Sequence, residues 1–331
     1  MKYFLKKCGS QELGSMEANQ GIPQRGRYLL ISMKEEVLSF FPPLTTTQLN
    51  DFVLLPIIPL YLGKKVYCTY VYHNDKYHGS TARHKRNEHR IYLNNTITMS
   101  NRLFRQDDIV IFRDAEIRDG KNIQKVYYMD LVNNHSSQLY TILNNCIDRY
   151  PIRGGFGIYS QIINEFEQKI NNLKDVFAES PEIDPTVTQF VETQSKTTTN
   201  ISGLFDATTF RDWVMVGYEN LCAITRTSIS GGGFINLEAA HIMPKSHGGL
   251  YLPNNGIALS QDLHWAFDKG FFTLNDDLTI KVHEKVDSPY LKSLNGKKIF
   301  IPNDPFFAPN IDNIKYHREN VYGLFLTSGR L

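Results

Sequence analysis

The chain has 331 residues, more than a single compact core usually holds, so two domains joined by a connector are expected. Hydrophobic residues make up 41% of it, with 20 Phe and 18 Tyr, which excludes disorder throughout. Lys+Arg 36 against Asp+Glu 34 leaves a formal charge of only +2, so any argument for a polyanionic partner must be local.

The start, MKYFLKKCGS, places three apolar residues, Tyr3 to Leu5, between lysines, far short of a signal-peptide core. No run approaches the roughly 18 apolar residues of a membrane span. Both features predict a protein that stays in the cytoplasm and touches no membrane. Cys8, Cys68, Cys146 and Cys222 lie 60, 78 and 76 residues apart, which fits neither a disulfide framework nor paired zinc ligands, so reduced thiols are expected.

Residues 1–25, with Gly9, Gly14, Gly21 and Pro23 among polar neighbours, read as a flexible tail. From about residue 26 to 155 short β-branched and aromatic runs follow one another: YLLISM, DFVLLPIIPLYL, KKVYCTYVYH, HRIYLNNTITM, DDIVIFRDAEI and KVYYMDLV. Gly, Asn, Asp or Pro separates them, the pattern of a β-rich domain. Near Gly157 the apolar period changes. Ile158, Ile162, Ile163, Phe166, Ile170, Leu173 and Phe177 recur at three- and four-residue steps and predict an amphipathic helix. Pro181–Gly203 is polar and reads as a linker, so 156–203 forms a helix and connector. The second domain, 204–331, opens with a helix over TTFRDWVMVGYENL, whose Phe210, Trp213, Val214 and Tyr218 share a face.

The segment Leu221–Val282 carries the chemistry. LEAAHI reads as a strand ended by Pro244, PKSHGGLYLPNN as a loop, and GIALS as a second strand. Ser260 as N-cap and Gly270 as the residue past the C-terminus bracket a helix over QDLHWAFDK. Leu263, Ala266 and Phe267 would bury it against the strands, and His264 and Asp268, four apart, share a neighbouring face. With His241 on the adjacent strand, that is a metal site in outline. His241, Asn255 and His264 come in order, 14 and 9 residues apart.

On these pieces, LEAAHI, PKSHGG, PNNGIALS and LHWAFDKG, the segment resembles the HNH nuclease family, whose fold is the ββα-metal motif, and within it the subgroup of restriction-type endonucleases. The resemblance runs from about Phe210 to Arg318, about a third of the chain. It implies a general base at His241, a loop-bracing Asn at Asn255 rather than Asn254, and a metal ligand at His264. A phosphodiester is anionic, so a divalent cation, Mg²⁺ first and Mn²⁺ or another divalent ion as alternatives, would offset charge while a base takes the proton of water. Many family members carry Asp or His just before the first His; here that position is Ala240. Glu238, on the same strand face as residue 240, and Asp268, one turn after His264, are the candidates to replace it. Asp268 ranks slightly ahead, because helix geometry alone places it beside His264. Lys245, His247, Arg226, His317 and Arg318 are candidate phosphate donors, although for each one the reading as an ordinary solvated surface charge ranks first.

In the front domain STARHKRNEHR holds Arg83, Lys85, Arg86 and Arg90 against the single acid Glu88, a positive cluster that the global balance hides. Together with RLFRQDDIVIFR, it resembles the B-three-like pseudobarrel with which some restriction endonucleases read DNA. The expectation is therefore an α+β chain. It has a β-rich, pseudobarrel-like recognition domain, a helical linker and a C-terminal ββα-metal nuclease domain acting on double-stranded DNA. A homodimer is one way to cut both strands with one site per chain. A competing reading, a non-catalytic DNA-binding regulator, draws on Ala240.

Overall fold

The β-branched and aromatic runs of the front half pair into one sheet. In the computed structural model the described residues are 1–10, 12, 28–79, 81, 85–93, 105–119, 122–150, 153–173, 207–231 and 234–328. They fall into two units, Met1–Thr199 and Asn200–Leu331.

The first unit is built on β1 (Tyr3–Lys7), β2 (Tyr28–Ile31), β3 (Phe52–Pro59), β4 (Val66–His73), β5 (Glu88–Tyr92), β6 (Ile109–Asp119), β7 (Asn122–Val132), β8 (Asp148–Tyr150) and β9 (Gly154–Tyr159). They form a nine-stranded sheet in the order β2-β5-β4-β3-β7-β6-β1-β9-β8. The β3–β7 pair is parallel and the others are antiparallel. Both faces are covered, which is why the strands read as continuous apolar runs rather than as alternating ones. Successive residues point to opposite faces. Phe4, Val110, Phe112 and Tyr127 enter one core with Phe40 and Phe41. Leu5, Ile111, Val126 and Tyr128 enter a second core with Tyr140, Leu143 and Phe166. The edge strands β2 and β8 approach each other: Lys34, just after β2, pairs with Asp148 in β8. A cavity of about 420 Å³ between them is lined by Leu30, Ile31, Tyr150 and Phe156, so the sheet is curled.

Two expectations are corrected here. The stretch read as a tail contains β1, an interior strand with Leu5 opposite Ile111 on one side and Gly157 on the other. The polar look of the segment misled because Lys6 is fully buried yet fully partnered. Its ammonium lies 2.8 Å from the Glu12 carboxylate. It also donates to the carbonyls of Lys7 and Arg153 at 2.7 and 2.8 Å. Glu12 accepts from the Gly9 and Leu30 amides as well, tying β1 to β2. The expected long helix is also shorter, Asn164–Asn171. Ile158 belongs to β9, opposite Phe4, and its three- and four-residue spacing to the helix positions spans a strand, a turn and a helix. Phe177 and the expected linker at 181–203 lie outside the described residues.

The second unit opens with helix Ala207–Gly217 and a short hairpin, β10 (Ser230–Gly231) with β11 (Phe234–Ile235). It continues with β12 (Leu237–His241), β13 (Gly256–Ser260), helix Gln261–Asp268, hairpin β14 (Phe272–Leu274) and β15 (Ile280–Val282), and helices Pro289–Leu294, Ile311–Asn320 and Phe325–Ser328. One core joins Phe210 and Val214 of the first helix, and Tyr218 just after it, to Ala240, Ile257, Leu263, Phe267 and Ile314.

Replacing Glu12 by Gln would leave the Lys6 ammonium buried without its counter-charge. The expected cost is about 3–5 kcal/mol in the front unit, read by urea denaturation; a solvated tail would give no change.

Candidate active site

β12 and β13 pair antiparallel, with Glu238 opposite Leu259, Ala240 opposite Ile257 and His241 opposite Gly256. A two-stranded ribbon is marginal by itself, and here each face is covered by a helix. On the His241 face the helix Ala207–Gly217 lies so close that a Cβ at Gly256 would sit 2.2 Å from Val214 Cγ2 and 2.9 Å from the Phe210 ring. On the other face the helix Gln261–Asp268 buries Leu263, Ala266 and Phe267, and Ala240 lies fully buried beneath it. Ser260 holds the cap position, but its hydroxyl bonds to Asp262 at 2.5 Å rather than to the backbone. Gly270, with φ +72°, ends the helix where its hydrogen would have to be replaced by a Cβ only 1.9 Å from the Val321 carbonyl.

The site residues distribute over both faces of this ribbon. His241 ends β12 stacked on Phe210, ring centroids 4.2 Å apart, with Tyr251 edge-on at 5.3 Å. Its Nε2 is buried and makes no hydrogen bond. Burial lowers its pKa to about 4, and the positive charges of Lys245 and His264 add to the effect. Lys245 is exposed and lies over the Tyr251 ring at 4.1 Å. Asn255 is buried and braces the intervening loop. Its Oδ1 accepts from the Met243 amide at 2.9 Å, and its Nδ2 donates to the carbonyls of Met243 and Leu250 at 3.2 and 2.9 Å. Asn254, the other candidate, has its carbonyl bonded to the Asn310 amide.

His264 stands between the two carboxylates proposed as its partners. Its Nδ1 is 2.5 Å from Glu238 Oε2, and its Nε2 is 3.3 Å from Asp268 Oδ2. Partial burial raises the Asp268 carboxyl; His264 opposes this and the Glu238 charge reinforces it. Glu238 thus meets His264 from the strand face that it shares with Ala240. Among the described residues no three His, Cys, Asp or Glu side chains are placed as they stand to hold a metal ion. The two carboxylates address different nitrogens of His264, which diverge. One imidazole and two carboxylates are nevertheless donors that a divalent cation accepts. At Nδ1 it would find Glu238 and at Nε2 Asp268, with solvent completing the shell.

Residues 222–275 match the family model of the HNH endonuclease. This segment is an HNH endonuclease domain. Among solved structures, a "Modification dependent TagI restriction endonuclease" is similar over 37% of this chain and 40% of its own, with 24% identity and a TM-score of 0.28. No curated protein matches the chain.

Other expected contacts fall elsewhere. His317 is buried under the HNH helix, stacked on Phe267 at 3.8 Å and bonded to Thr273 Oγ1 and the Phe267 carbonyl. Arg226 lies over Phe300 and pairs with Glu219, and Arg318 pairs with Asp276. His317 is thus buried in the core, while Arg226 and Arg318 are held by acids and a ring of their own unit. His247 is exposed near Tyr316. In the basic stretch Arg83 lies outside the described residues and Lys85 is exposed. Arg86 pairs with Asp75 at 2.6 Å. Arg90 pairs with Glu88 and sits over the Tyr28 ring at 4.1 Å. Phe210, which holds His241, was legible only as an apolar helix position, with no signal of its relation to the site.

Two measurements test this packing. Gly256→Ala would force apart the ribbon and the first helix and cost about 1–3 kcal/mol by overpacking, read by denaturation. Burial lowers the His317 pKa to about 4. The unfolded chain therefore takes a proton first, and stability is lost as pH falls from about 6.5 toward 4 by up to about 3 kcal/mol. His317→Asn should lose that part of the pH dependence.

Proposed function

We propose that the chain is a restriction-type endonuclease that hydrolyses phosphodiester bonds of double-stranded DNA at a defined sequence, with a divalent cation and a ββα-metal site. The observation that carries this reading is His264 held between Glu238 and Asp268, with His241 and its unpartnered ring nitrogen at the end of the same strand, all inside the HNH segment.

In this reading His241 is the general base. A neutral imidazole is the form that accepts a proton from water, and with its pKa lowered to about 4 it is neutral at physiological pH. The Phe210 stack fixes the ring plane, and Asn255 fixes the loop that faces it. His264 would hold the cation with Glu238 or Asp268. HNH nucleases generally use divalent metal ions, and the ion would neutralise charge developing on the phosphoryl and leaving oxygens. Mg²⁺ is the first candidate and Mn²⁺ the second. Lys245, Lys85 and Arg83 are the cations assigned to DNA phosphates, while Arg86 and Arg90 shape the front surface. The curled sheet would serve as the pseudobarrel reader, since base contacts specify and backbone contacts position. A cytoplasmic homodimer would supply the second site for the second strand. The regulator reading draws on Ala240 and is weakened by Glu238, which reaches His264 from the same strand face.

The test is digestion of plasmid DNA over a metal titration. His241→Ala should abolish cleavage while DNA binding persists; cutting within a few-fold of the parent overturns the base assignment. Glu238→Ala, His264→Ala and Asp268→Ala, made singly, should identify the ligands by a raised metal requirement. The acid limb of kcat/KM should lie near pH 4, the rate falling as pH drops through it. Lys245→Ala removes a neighbouring positive charge and should move that limb upward. If neither the parent nor Mn²⁺ supplementation gives cuts in any DNA tested, the regulator reading stands instead.

A further inference from the structure

The β10–β11 hairpin has no part in the chemistry above. Ser230 pairs with Ile235 and Gly231 with Phe234. Asn236 closes the base: it accepts from the Ile229 amide through Oδ1 at 2.7 Å and donates its own amide to the Ile229 carbonyl at 3.0 Å. Paired positions share a face and successive ones alternate. Ile229, Gly231 and Phe234 therefore lie on one face and Ile235 on the other. Ile235 packs against the core of the unit. On the opposite face Phe234 is 82% and Ile229 74% exposed, the most exposed large hydrophobic side chains among the described residues. Gly231, across from Phe234, has no side chain to cover the ring, and a Cβ there would meet open space. From Thr227 to Leu237 the chain carries no charge.

The hairpin is fixed to both elements of the site. Asn236 directly precedes β12, and its carbonyl accepts from the amide of Gln261, the first residue of the helix that carries His264. Four residues separate Phe234 from Glu238, a span of at most about 14 Å. That is about four base-pair steps of a duplex. We propose that Phe234, with Ile229 beside it, is an apolar wedge that enters the base stack of duplex DNA close to the scissile phosphate. This rests on the nuclease reading. An inserted ring unstacks a step and bends the duplex, bringing the backbone onto the site. The small area of the face favours DNA over a protein partner. Two side chains offer about 400 Å² at most, whereas a stable protein interface covers about 800 Å² per partner. An uncharged tip also meets the polyanion without repulsion, and Lys245 supplies a cation after β12.

The experiment uses the full chain and duplexes with 2-aminopurine at successive positions around the mapped cut. Binding by the parent without divalent metal should raise fluorescence at a step within about four base pairs of the cut. Phe234→Ala should lose that rise and lower kcat/KM on intact duplex at least about tenfold, with its thermal transition unchanged; Phe234→Trp should retain both. A duplex with an abasic site at that step, already unstacked, should restore Phe234→Ala cleavage to within about threefold of the parent, which a merely structural role would not do. If the parent cuts and Phe234→Ala cuts equally, or the rise survives the substitution, the wedge is overturned and the nuclease reading stands. If sedimentation shows a parent dimer that Phe234→Ala dissolves, the face joins copies of the chain and the wedge is overturned. A parent that neither binds nor cuts duplex DNA overturns both.

Discussion

The clamping of a two-stranded ribbon between two helices is the constraint on which the nuclease unit depends. β12 and β13 cannot persist as an isolated pair, so each face must be buried, and the first helix comes close enough that only glycine fits at 256. That approach fixes the rest. His241, opposite Gly256, is pressed against Phe210. The alternate residues Glu238 and Ala240 are turned toward the second helix, where the small Ala240 allows close packing and Glu238 reaches the exposed side of His264. One strand thus presents an imidazole on one face and a carboxylate on the other.

Among the described residues burial lowers the pKa of four histidines, His73, His89, His241 and His317, but it does not make them alike. His73 bonds Asn50 and Tyr92 through its two ring nitrogens, His317 bonds Thr273 and the Phe267 carbonyl, and His89 meets Tyr70. His241 differs in having a buried Nε2 with no partner. Buried polar atoms are nearly always satisfied, so the orphan nitrogen marks this histidine more clearly than its lowered pKa does.

Charge is spent in a similar way. Lys6 is used by Glu12, Arg86 by Asp75, Arg90 by Glu88, Arg226 by Glu219 and Arg318 by Asp276. These pairs organise strands, turns and helix ends, and a tally of basic residues therefore overstates the cation available to a ligand. Lys85 and Lys245 stay exposed, and for Lys245 the Tyr251 ring holds the side chain beside His241 without neutralising it.

The sequence by itself determined the local elements of the nuclease unit, because their signals are local: Pro244 and the Gly-rich loop after β12, Ser260 and Gly270 around a helix of apolar Leu263, Ala266 and Phe267, and His264 four residues from Asp268. It also set Asn255 apart from Asn254. Only the tertiary structure decided that Glu238 meets Nδ1 of His264 while Asp268 meets Nε2, since the reach of a strand residue to a helix residue depends on how closely the two pack. It alone revealed Phe210 behind His241 and the partners that Arg90, Arg226 and Arg318 find in distant parts of the chain, Tyr28, Phe300 and Asp276. The same holds for β1: a segment with Lys6 and Lys7 reads as solvated until Glu12 and the carbonyls around Lys6 are brought together, for a buried charge is tolerated only when distant groups satisfy it.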